Sequence, residues 1–259
     1  MWWIVLLAVI AIMGVLVGTV VGPFLTLKRL PERAEINGAV LVKDGFVSAA
    51  LVPLSGHEVA LVDAGNDVEA KALLAELSRR GLGPDDVKVV LLTHGHSDHT
   101  GGIAKFPKAQ VMAPAEEVGV VEGRSTSGGP ILRFRSPKPT GIRLSRTLHD
   151  GEVVQLGSIQ VRVFAVPGHT PGSAAYAIGG NLFLGDSANQ DKHCRLKAAP
   201  WIFSASAAQN RKSLLELARR LASDSSIKTL VFSHSAPLER GIGPLVELAA
   251  RKSTTPSHS

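Results

Sequence analysis

A short histidine-rich segment constrains this chain more than any other feature of its sequence. Within residues 93–102, four side chains that commonly bind metals lie close together: His94, His96, Asp98 and His99. The β-branched apolar run 87–92 comes directly before them and predicts a buried strand. A loop after such a strand has its backbone held by the sheet while its side chains reach into a cleft. The sequence therefore predicts a metal-binding loop at the edge of a sheet.

The spacing of these residues suits two ions. His94 and His96 are two positions apart and can reach one ion, while Asp98 and His99 can turn toward a second. Imidazole and carboxylate ligands together suit zinc, or the similar ions manganese and iron. The alternative is a polar turn with chance histidines. By composition alone, on the order of one chain in a thousand would carry such a string, so we favour the metal site.

Three further polar residues each follow a strand-like apolar run. The runs and the residues after them are 161–166 with His169, 181–184 with Asp186, and 229–232 with His234. Each residue alone is more often a turn residue or a hydrogen-bonded core histidine. Because all three come after a strand, they together favour additional metal ligands.

With these residues, the chain resembles the metallo-β-lactamase superfamily, and in particular its members with two metal ions. The resemblance runs from about Gly38 to about Pro237 and includes segment 167–173. It implies an α/β fold, a four-layer αβ/βα sandwich, in which Asp63 supports the ligand loop. It also implies one metal on His94, His96 and His169, a second on Asp98, His99 and His234, and Asp186 bridging both. No ligand position of this pattern is missing, which argues against a non-catalytic relative.

The resemblance implies a metal-dependent hydrolase with two divalent ions, zinc first and manganese or iron as alternatives. Two such ions can share a water molecule, lower its pKa toward neutrality and polarise the bond under attack. Asp98 is the candidate catalytic residue, since a carboxylate there can ligate a metal and exchange a proton with water or leaving group. We expect hydrolysis of an ester, thioester or lactone. A phosphodiesterase and a metal-binding scaffold without turnover stay open as alternatives.

Differences between this sequence and individual families of the superfamily reduce the number of candidate substrates. Asp186 at the bridging position, with the only cysteine at Cys194, disfavours a β-lactamase. Glyoxalase II enzymes share the ligand set but add a helical glutathione-binding domain, for which we expect the stretch after His234 to be too short. Acyl-homoserine lactonases carry a tyrosine after the bridging aspartate, where Asn189 and Gln190 stand here.

Two stretches are candidates for contact with a small-molecule substrate. After Asp186, anion-binding or apolar side chains occur at Asn189, Lys192, His193, Arg195 and Trp201. The loop 124–146 carries six Lys or Arg residues and no acidic one. It could receive an anionic or lipid-derived substrate, contact lipid headgroups, or be a solvated basic surface. Nucleic acid is not favoured as a partner, because Phe134 is the only aromatic side chain of this loop that could stack on a base.

The amino-terminal residues form the second strong feature. Residues 2–27 carry no charge, and this run is longer than the roughly 20 residues that cross a bilayer. Basic residues follow directly: Lys28, Arg29 and Arg33. The pattern predicts a single-pass membrane anchor with the catalytic domain in the cytoplasm, and a buried helix is the alternative. Glycines at four-residue spacing predict contact between two such helices: Gly14, Gly18 and Gly22.

These features predict the organisation of the chain. We expect a transmembrane anchor at 1–27, a juxtamembrane linker at 28–37, a catalytic domain at 38–250 and a polar tail at 251–259. Amphipathic runs predict helices at 69–80 and 210–221, with Gly81 capping the first. One cysteine excludes a disulfide framework within the chain.

Overall fold

Two β-sheets form the centre of the structure, a computed structural model that describes residues 2–134 and 136–253. The helices are α1 Trp2–Val20, α2 Gly22–Leu25, α3 Lys71–Arg79, α4 Ser97–Thr100, α5 Val118–Val121, α6 Ala207–Arg220 and α7 Gly243–Ser253. The strands are β1 Arg33–Ile36, β2 Ala39–Asp44, β3 Val47–Pro53, β4 Val59–Val62, β5 Val87–Leu91, β6 Gln110–Pro114, β7 Arg146–Leu148, β8 Val153–Leu156, β9 Ile159–Ala165, β10 Ala174–Ile178, β11 Asn181–Phe183, β12 Ala188–Gln190, β13 Leu196–Ala198 and β14 Thr229–Val231. Arg135 of the basic loop and the predicted tail beyond Ser253 lie outside the described residues.

The first sheet carries the strand that leads into the histidine-rich loop. Its seven strands follow chain order from β1 to β7, antiparallel up to β4 and parallel from β4 onward. The strand predicted at 87–92 is confirmed as β5, between β4 and β6. Because parallel strands end at the same edge, the loops after β4, β5 and β6 meet there.

The second sheet carries the other predicted ligand loops. Its strand order is β14-β11-β10-β9-β8, with β11 and β14 parallel. The strands β9 and β11 both pair antiparallel with β10, so they run in the same direction as each other. The predicted strands before His169, Asp186 and His234 are therefore confirmed, and their carboxyl ends lie at one edge of the sheet.

Three apolar cores separate four layers. Between the two sheets, Leu91 packs in the same core as Tyr176. Between the first sheet and α3, the core contains Leu73 and Leu77, and between the second sheet and α6 it contains Leu214. Burying one such leucine side chain contributes about 1.5–3 kcal/mol to stability. The predicted four-layer αβ/βα sandwich is confirmed.

Capping residues determine where α3 ends and where α6 begins. The helix α3 ends where Gly81, with a φ of 70°, donates its N–H to the Ser78 carbonyl at 3.0 Å, as predicted for a glycine cap. The helix α6 begins three residues earlier than predicted. The Ser206 hydroxyl accepts the N–H of Gln209 at 3.2 Å and so caps the helix before Ala207.

The predicted domain limits also differ from the secondary structure. The strand β1 lies inside the stretch predicted as a linker, 28–37. It pairs antiparallel with β2 at the edge of the first sheet, and its Ile36 is buried in the core between the sheets. At the other end, α7 continues to Ser253, past the predicted limit at 250.

The uncharged amino-terminal run is divided in the structure. The helix α1 ends at Val20, and α2 is only four residues long with Pro23 in its first turn. Proline has no N–H to continue the hydrogen bonding of α1. Beyond α2, the Lys28 N–H donates to the Gln190 carbonyl at 2.9 Å. The end of the run therefore packs against the sandwich.

The predicted membrane anchor at 1–27 is a wrong prediction, and so is the membrane localisation. Among the described residues, no helix combines the length and the apolar character that crossing a bilayer requires. The hydropathy of the run gave no sign of its division near Pro23. The orientation argued from the basic residues 28–33 presupposed a membrane, as did the helix pairing predicted from Gly14, Gly18 and Gly22, and both lose their basis.

Candidate metal centre

Loops at one edge of the two sheets bring the predicted metal ligands together. They follow β5, β9, β11 and β14. Their side chains form two groups, and within each group the nearest nitrogen and oxygen atoms lie within 4.8 Å of one another. The first group is His94, His96, His169 and Asp186, and the second is Asp98, His99, Asp186 and His234. All seven predicted ligands are thus present, and Asp186 belongs to both groups.

Three imidazole nitrogens converge in the first group. The Nδ1 atom of His96 is 3.0 Å from Nε2 of His94 and 3.0 Å from Nε2 of His169. The Asp186 Oδ2 atom lies 3.4 Å from the same nitrogen of His169. A cluster of three imidazole nitrogens and a carboxylate oxygen could hold a cation.

The second group shares Asp186 with the first. The Nε2 atom of His234 lies 3.0 Å from Asp186 Oδ2 and 3.5 Å from Asp98 Oδ2. On the other side, the Nε2 atom of His99 lies 3.3 Å from Asp186 Oδ1. Two imidazoles and two carboxylates suit zinc, manganese or iron, as predicted from the residue types.

Two atoms of this group test whether the residues fit a metal. The Nε2 atom of His99 and the Oδ1 atom of Asp186 are buried 3.3 Å apart, yet neither makes a hydrogen bond of acceptable geometry among the described residues. Leaving such an atom unsatisfied costs about 1–3 kcal/mol. A divalent cation between them would satisfy both, so the residues fit the metal pair that the sequence implied.

The outward nitrogen of every histidine in the two groups faces an oxygen. The pairs are His94 Nδ1 with Thr93 Oγ1 at 3.1 Å, His96 Nε2 with Ser127 Oγ at 2.7 Å, His99 Nδ1 with Asp63 Oδ2 at 2.8 Å, His169 Nδ1 with Ser204 Oγ at 3.4 Å, and His234 Nδ1 with the Phe46 carbonyl at 2.9 Å. When the outer nitrogen donates its proton to such an oxygen, the inner nitrogen presents a lone pair to the site.

Asp63 fixes the histidine-rich loop by accepting hydrogen bonds from it. It is buried after β4, with a φ of 60° that few residues other than glycine adopt. Its Oδ1 atom accepts the Thr93 N–H at 2.8 Å, and its Oδ2 atom accepts from the Thr93 hydroxyl at 2.9 Å and from His99. The strained backbone is therefore offset by bonds that fix the loop.

Glu117 joins the two ligand loops and was not predicted from the sequence. Its side chain is fully buried, and its two oxygens accept the N–H groups of Gly95 and Gly172, each at 2.8 Å. Burial raises the pKa of this carboxyl group. Gly95 lies between two candidate ligands, and Gly172 lies three residues after His169. The available signal was its place just after β6, at the sheet edge that carries the ligands.

Burial and charge set the protonation of the histidines. Burial lowers the pKa of His96 to about 4 and that of His169 to about 3, so both are neutral at pH 7. Burial acts in the same direction on His99 and His234, but nearby carboxylates, Asp186 foremost, together outweigh it and raise both pKa values. Without a metal, the neutral His96 and His169 can bind one at pH 7, whereas the raised pKa values of His99 and His234 favour protons that compete with a metal.

A cavity of about 700 Å³ opens onto both groups, within the usual size range of small-molecule sites. Of the predicted substrate contacts, Asn189 lines it; its Oδ1 atom is buried without a hydrogen-bond partner among the described residues. Lys192, His193, Arg195 and Trp201 do not line the cavity. Arg195 forms an ion pair with Asp191 at 2.8 Å instead. From the basic loop, Leu132 reaches the cavity, while its cations at 124 and 146 pair with Glu122 and Glu152.

Comparison with a library of protein families gives a match to the metallo-β-lactamase superfamily over residues 42–234. Among curated proteins, the hydroxyacylglutathione hydrolase of Vibrio cholerae is 33% identical over 140 residues, which cover 52% of this chain and 44% of that protein. The enzyme of the same name from Anaeromyxobacter dehalogenans is 36% identical over 133 residues, covering 51% and 43%. The chain thus spans less than half the length of these relatives.

Solved structures agree on the fold. A subclass B3 metallo-β-lactamase of Bradyrhizobium japonicum superposes with a TM-score of 0.62, covering 88% of this chain and 93% of that one. The two sequences are 20% identical, so this likeness concerns the fold alone.

Proposed function

The chain belongs to the metallo-β-lactamase superfamily, and from that premise we propose that it hydrolyses an acyl bond in a thioester, an ester or a lactone. It is a metallo-hydrolase of that superfamily, whose members bind two divalent ions, typically zinc. The single observation that carries the proposal is the pair of ligand groups that share Asp186 at the floor of the cavity. The ligand roles of these residues are part of the proposal.

The chain's own residues suggest how the reaction proceeds. When bound, the two ions would lower the pKa of a water molecule and polarise the scissile carbonyl. Asp98 lines the cavity with a side chain that is 18% exposed, whereas His99 beside it is fully buried. We assign Asp98 to accept the proton of the attacking water and to return it to the leaving sulfur or oxygen. Asp63 keeps His99 in position through the bond at 2.8 Å.

A thioester is the first candidate within this class. Support comes from the relatives named hydroxyacylglutathione hydrolase, whose identity of 33–36% extends over about half of this chain. A phosphodiester is the second candidate. Lys28 and Arg29 line the cavity, and cations there would attract a phosphate as well as a carboxylate.

The test is hydrolysis by the full chain loaded with zinc. A panel of thioester, ester, lactone and phosphodiester substrates would be compared between wild type, Asp98→Asn and Asp85→Asn, an exposed aspartate paired with Lys108 as the matched control. We expect thioester turnover that is lost in Asp98→Asn and in chelator and is kept in Asp85→Asn. Turnover of the phosphodiester alone would replace the proposal by its alternative. Two bound zinc ions without any turnover would favour a scaffold.

A further inference from the structure

The segment before β1 forms one side of the cavity. Five apolar side chains of this segment line it, and we call them the N-terminal wall: Val20, Val21, Phe24, Leu27 and Leu30. The family match begins at residue 42, so the wall lies before the matched region. Side chains that line the cavity from outside the matched region are candidates for substrate selection.

Main-chain hydrogen bonds hold the wall against the metal centre. The Lys192 N–H donates to the Thr26 carbonyl at 3.0 Å, and the Ala236 N–H donates to the Lys28 carbonyl at 3.1 Å. In addition, Leu27 forms a short antiparallel bridge with Asp191. These partners come from the two loops that carry Asp186 and His234. The wall is therefore fixed to the loops that hold the second ligand group.

Aromatic contacts bring the wall to the reacting end of the cavity. The Phe24 ring meets Phe203 edge to face at 5.5 Å and His234 at 5.9 Å. On another side, Phe46 stacks on the His234 ring at 5.7 Å. Phe24 is 37% exposed and Phe46 is 59% exposed, and both line the cavity. Open aromatic surface of this kind beside a candidate metal site suits an apolar part of a substrate.

Two cations stand beside this apolar surface. Lys28, Arg29 and Lys43 line the cavity, and Lys43 is paired with Glu32 at 2.5 Å. Among the described residues, the Arg29 side chain donates no hydrogen bond, and the Lys28 ammonium reaches only the Cys194 sulfur, at 3.8 Å. Both cations are thus available to an anionic group, which they would attract as well as hold.

We propose that the N-terminal wall selects acyl substrates that combine a hydrocarbon chain with an anionic group. The chain lies on Phe24 and its apolar neighbours, and the anionic group lies near Lys28 and Arg29. This inference rests on the proposed acyl hydrolysis and names its substrate class. Each methylene group that leaves water strengthens binding by about fourfold, so the wall gives longer acyl chains an advantage.

The first test measures chain-length preference. Coenzyme A thioesters of acetate, hexanoate and decanoate supply an anionic group with acyl chains of increasing length. We expect kcat/KM to rise with chain length in the wild type. Phe24→Ala lowers kcat/KM for the decanoyl thioester about tenfold and changes it for the acetyl thioester by less than about twofold. Phe24→Leu, which keeps an apolar side chain, retains most of the preference and so separates loss of the wall from loss of folding.

The matched control is Phe134→Ala. Phe134 is a phenylalanine of the basic loop whose side chain is 77% exposed and which does not line the cavity. This variant keeps the wild-type preference. A Phe24→Ala enzyme that loses acetyl and decanoyl turnover to the same degree would overturn the inference, because the ring would then act on the metal centre and not on the chain.

The second test measures binding without turnover. The fluorescent anion 1-anilinonaphthalene-8-sulfonate is bound to the zinc-loaded protein and displaced with decanoate, and acetate is the reference with the same carboxylate. We expect decanoate to displace the probe at far lower concentration than acetate does. Both Phe24→Ala and Arg29→Gln raise the decanoate concentration that displaces half of the probe by about fivefold to tenfold. Added salt reduces the difference between wild type and Arg29→Gln, because it screens the charge of Arg29.

The two tests separate the inference from the proposed function. If no thioester is hydrolysed but decanoate binds in a manner that depends on Phe24, the proposed thioester hydrolysis is wrong, while the binding of hydrocarbon chains by the N-terminal wall is supported. If thioesters are hydrolysed without chain-length preference and decanoate displaces no probe, the function stands and the wall is overturned.

Discussion

The two sides of the cavity are built in different ways. The metal side is polar and buried, and hydrogen bonds of 2.7–3.4 Å orient each of its histidines. The wall side is apolar and partly exposed, and main-chain bonds from residues 26–28 attach it to the domain. Rigid polar geometry suits chemistry that must position atoms, whereas an apolar surface tolerates chains of different length. We therefore expect changes on the metal side to affect every substrate, and changes on the wall to affect only some.

The largest expected effect is that of Asp186→Ala. This carboxylate belongs to both ligand groups, so its removal weakens both candidate metal sites at once. We expect less than two bound zinc ions per chain and a loss of kcat/KM of at least about a thousandfold for acetyl and decanoyl thioesters alike. Metal analysis and kinetics on the purified variant measure both. Retained activity on either substrate would show that the metal side does not act as one unit.

A smaller effect is expected for Asp63→Asn. Asparagine also tolerates a φ near 60°, so the backbone is kept while the charge that accepts from His99 is lost. We expect zinc affinity to fall about tenfold to a hundredfold, with the same loss for long and short acyl chains. A competition titration with a zinc-binding dye measures the affinity. An affinity equal to that of the wild type would contradict the role assigned to Asp63.

The smallest of these effects is expected for Glu117→Gln. The glutamine keeps one acceptor oxygen for two N–H groups, so one of Gly95 and Gly172 loses its partner. We expect zinc affinity to fall about tenfold and the melting temperature to fall by a few degrees. The adjacent and exposed Glu116 gives the matched control, Glu116→Gln, with no change in either quantity. If Glu117→Gln and Glu116→Gln had the same zinc affinity and melting temperature, Glu117 would not support the metal side as proposed.

The contrast between the two sides also explains what the sequence could predict. Apolar runs in the sequence predict the strands before His94, His169, Asp186 and His234. The residues after these strands are of types that commonly bind metals and are seldom needed for structure alone. The four-layer fold and the gathering of the ligands follow from that pattern. Glu117 was not predictable in the same way, because its partners are glycine N–H groups, which leave no mark in a sequence.

Most residues of the N-terminal wall were wrongly predicted as part of a membrane anchor, for a different reason. Hydropathy gives an apolar run the same value whether it crosses a bilayer or borders a cavity, and only Pro23 marked the division of residues 2–27. The substrate contacts show a related limit. Asn189 lines the cavity, but Arg195 is engaged by Asp191, and such a pairing depends on the three-dimensional path of the loop.

The central claim is that the two ligand groups hold two ions next to an apolar wall. The most direct measurement is a crystal structure of the zinc-loaded protein with anomalous scattering recorded at the zinc edge. We predict two peaks at the cavity floor, one among His94, His96 and His169 and one among Asp98, His99 and His234, with Asp186 between them. A single peak, or zinc bound away from these side chains, would contradict it.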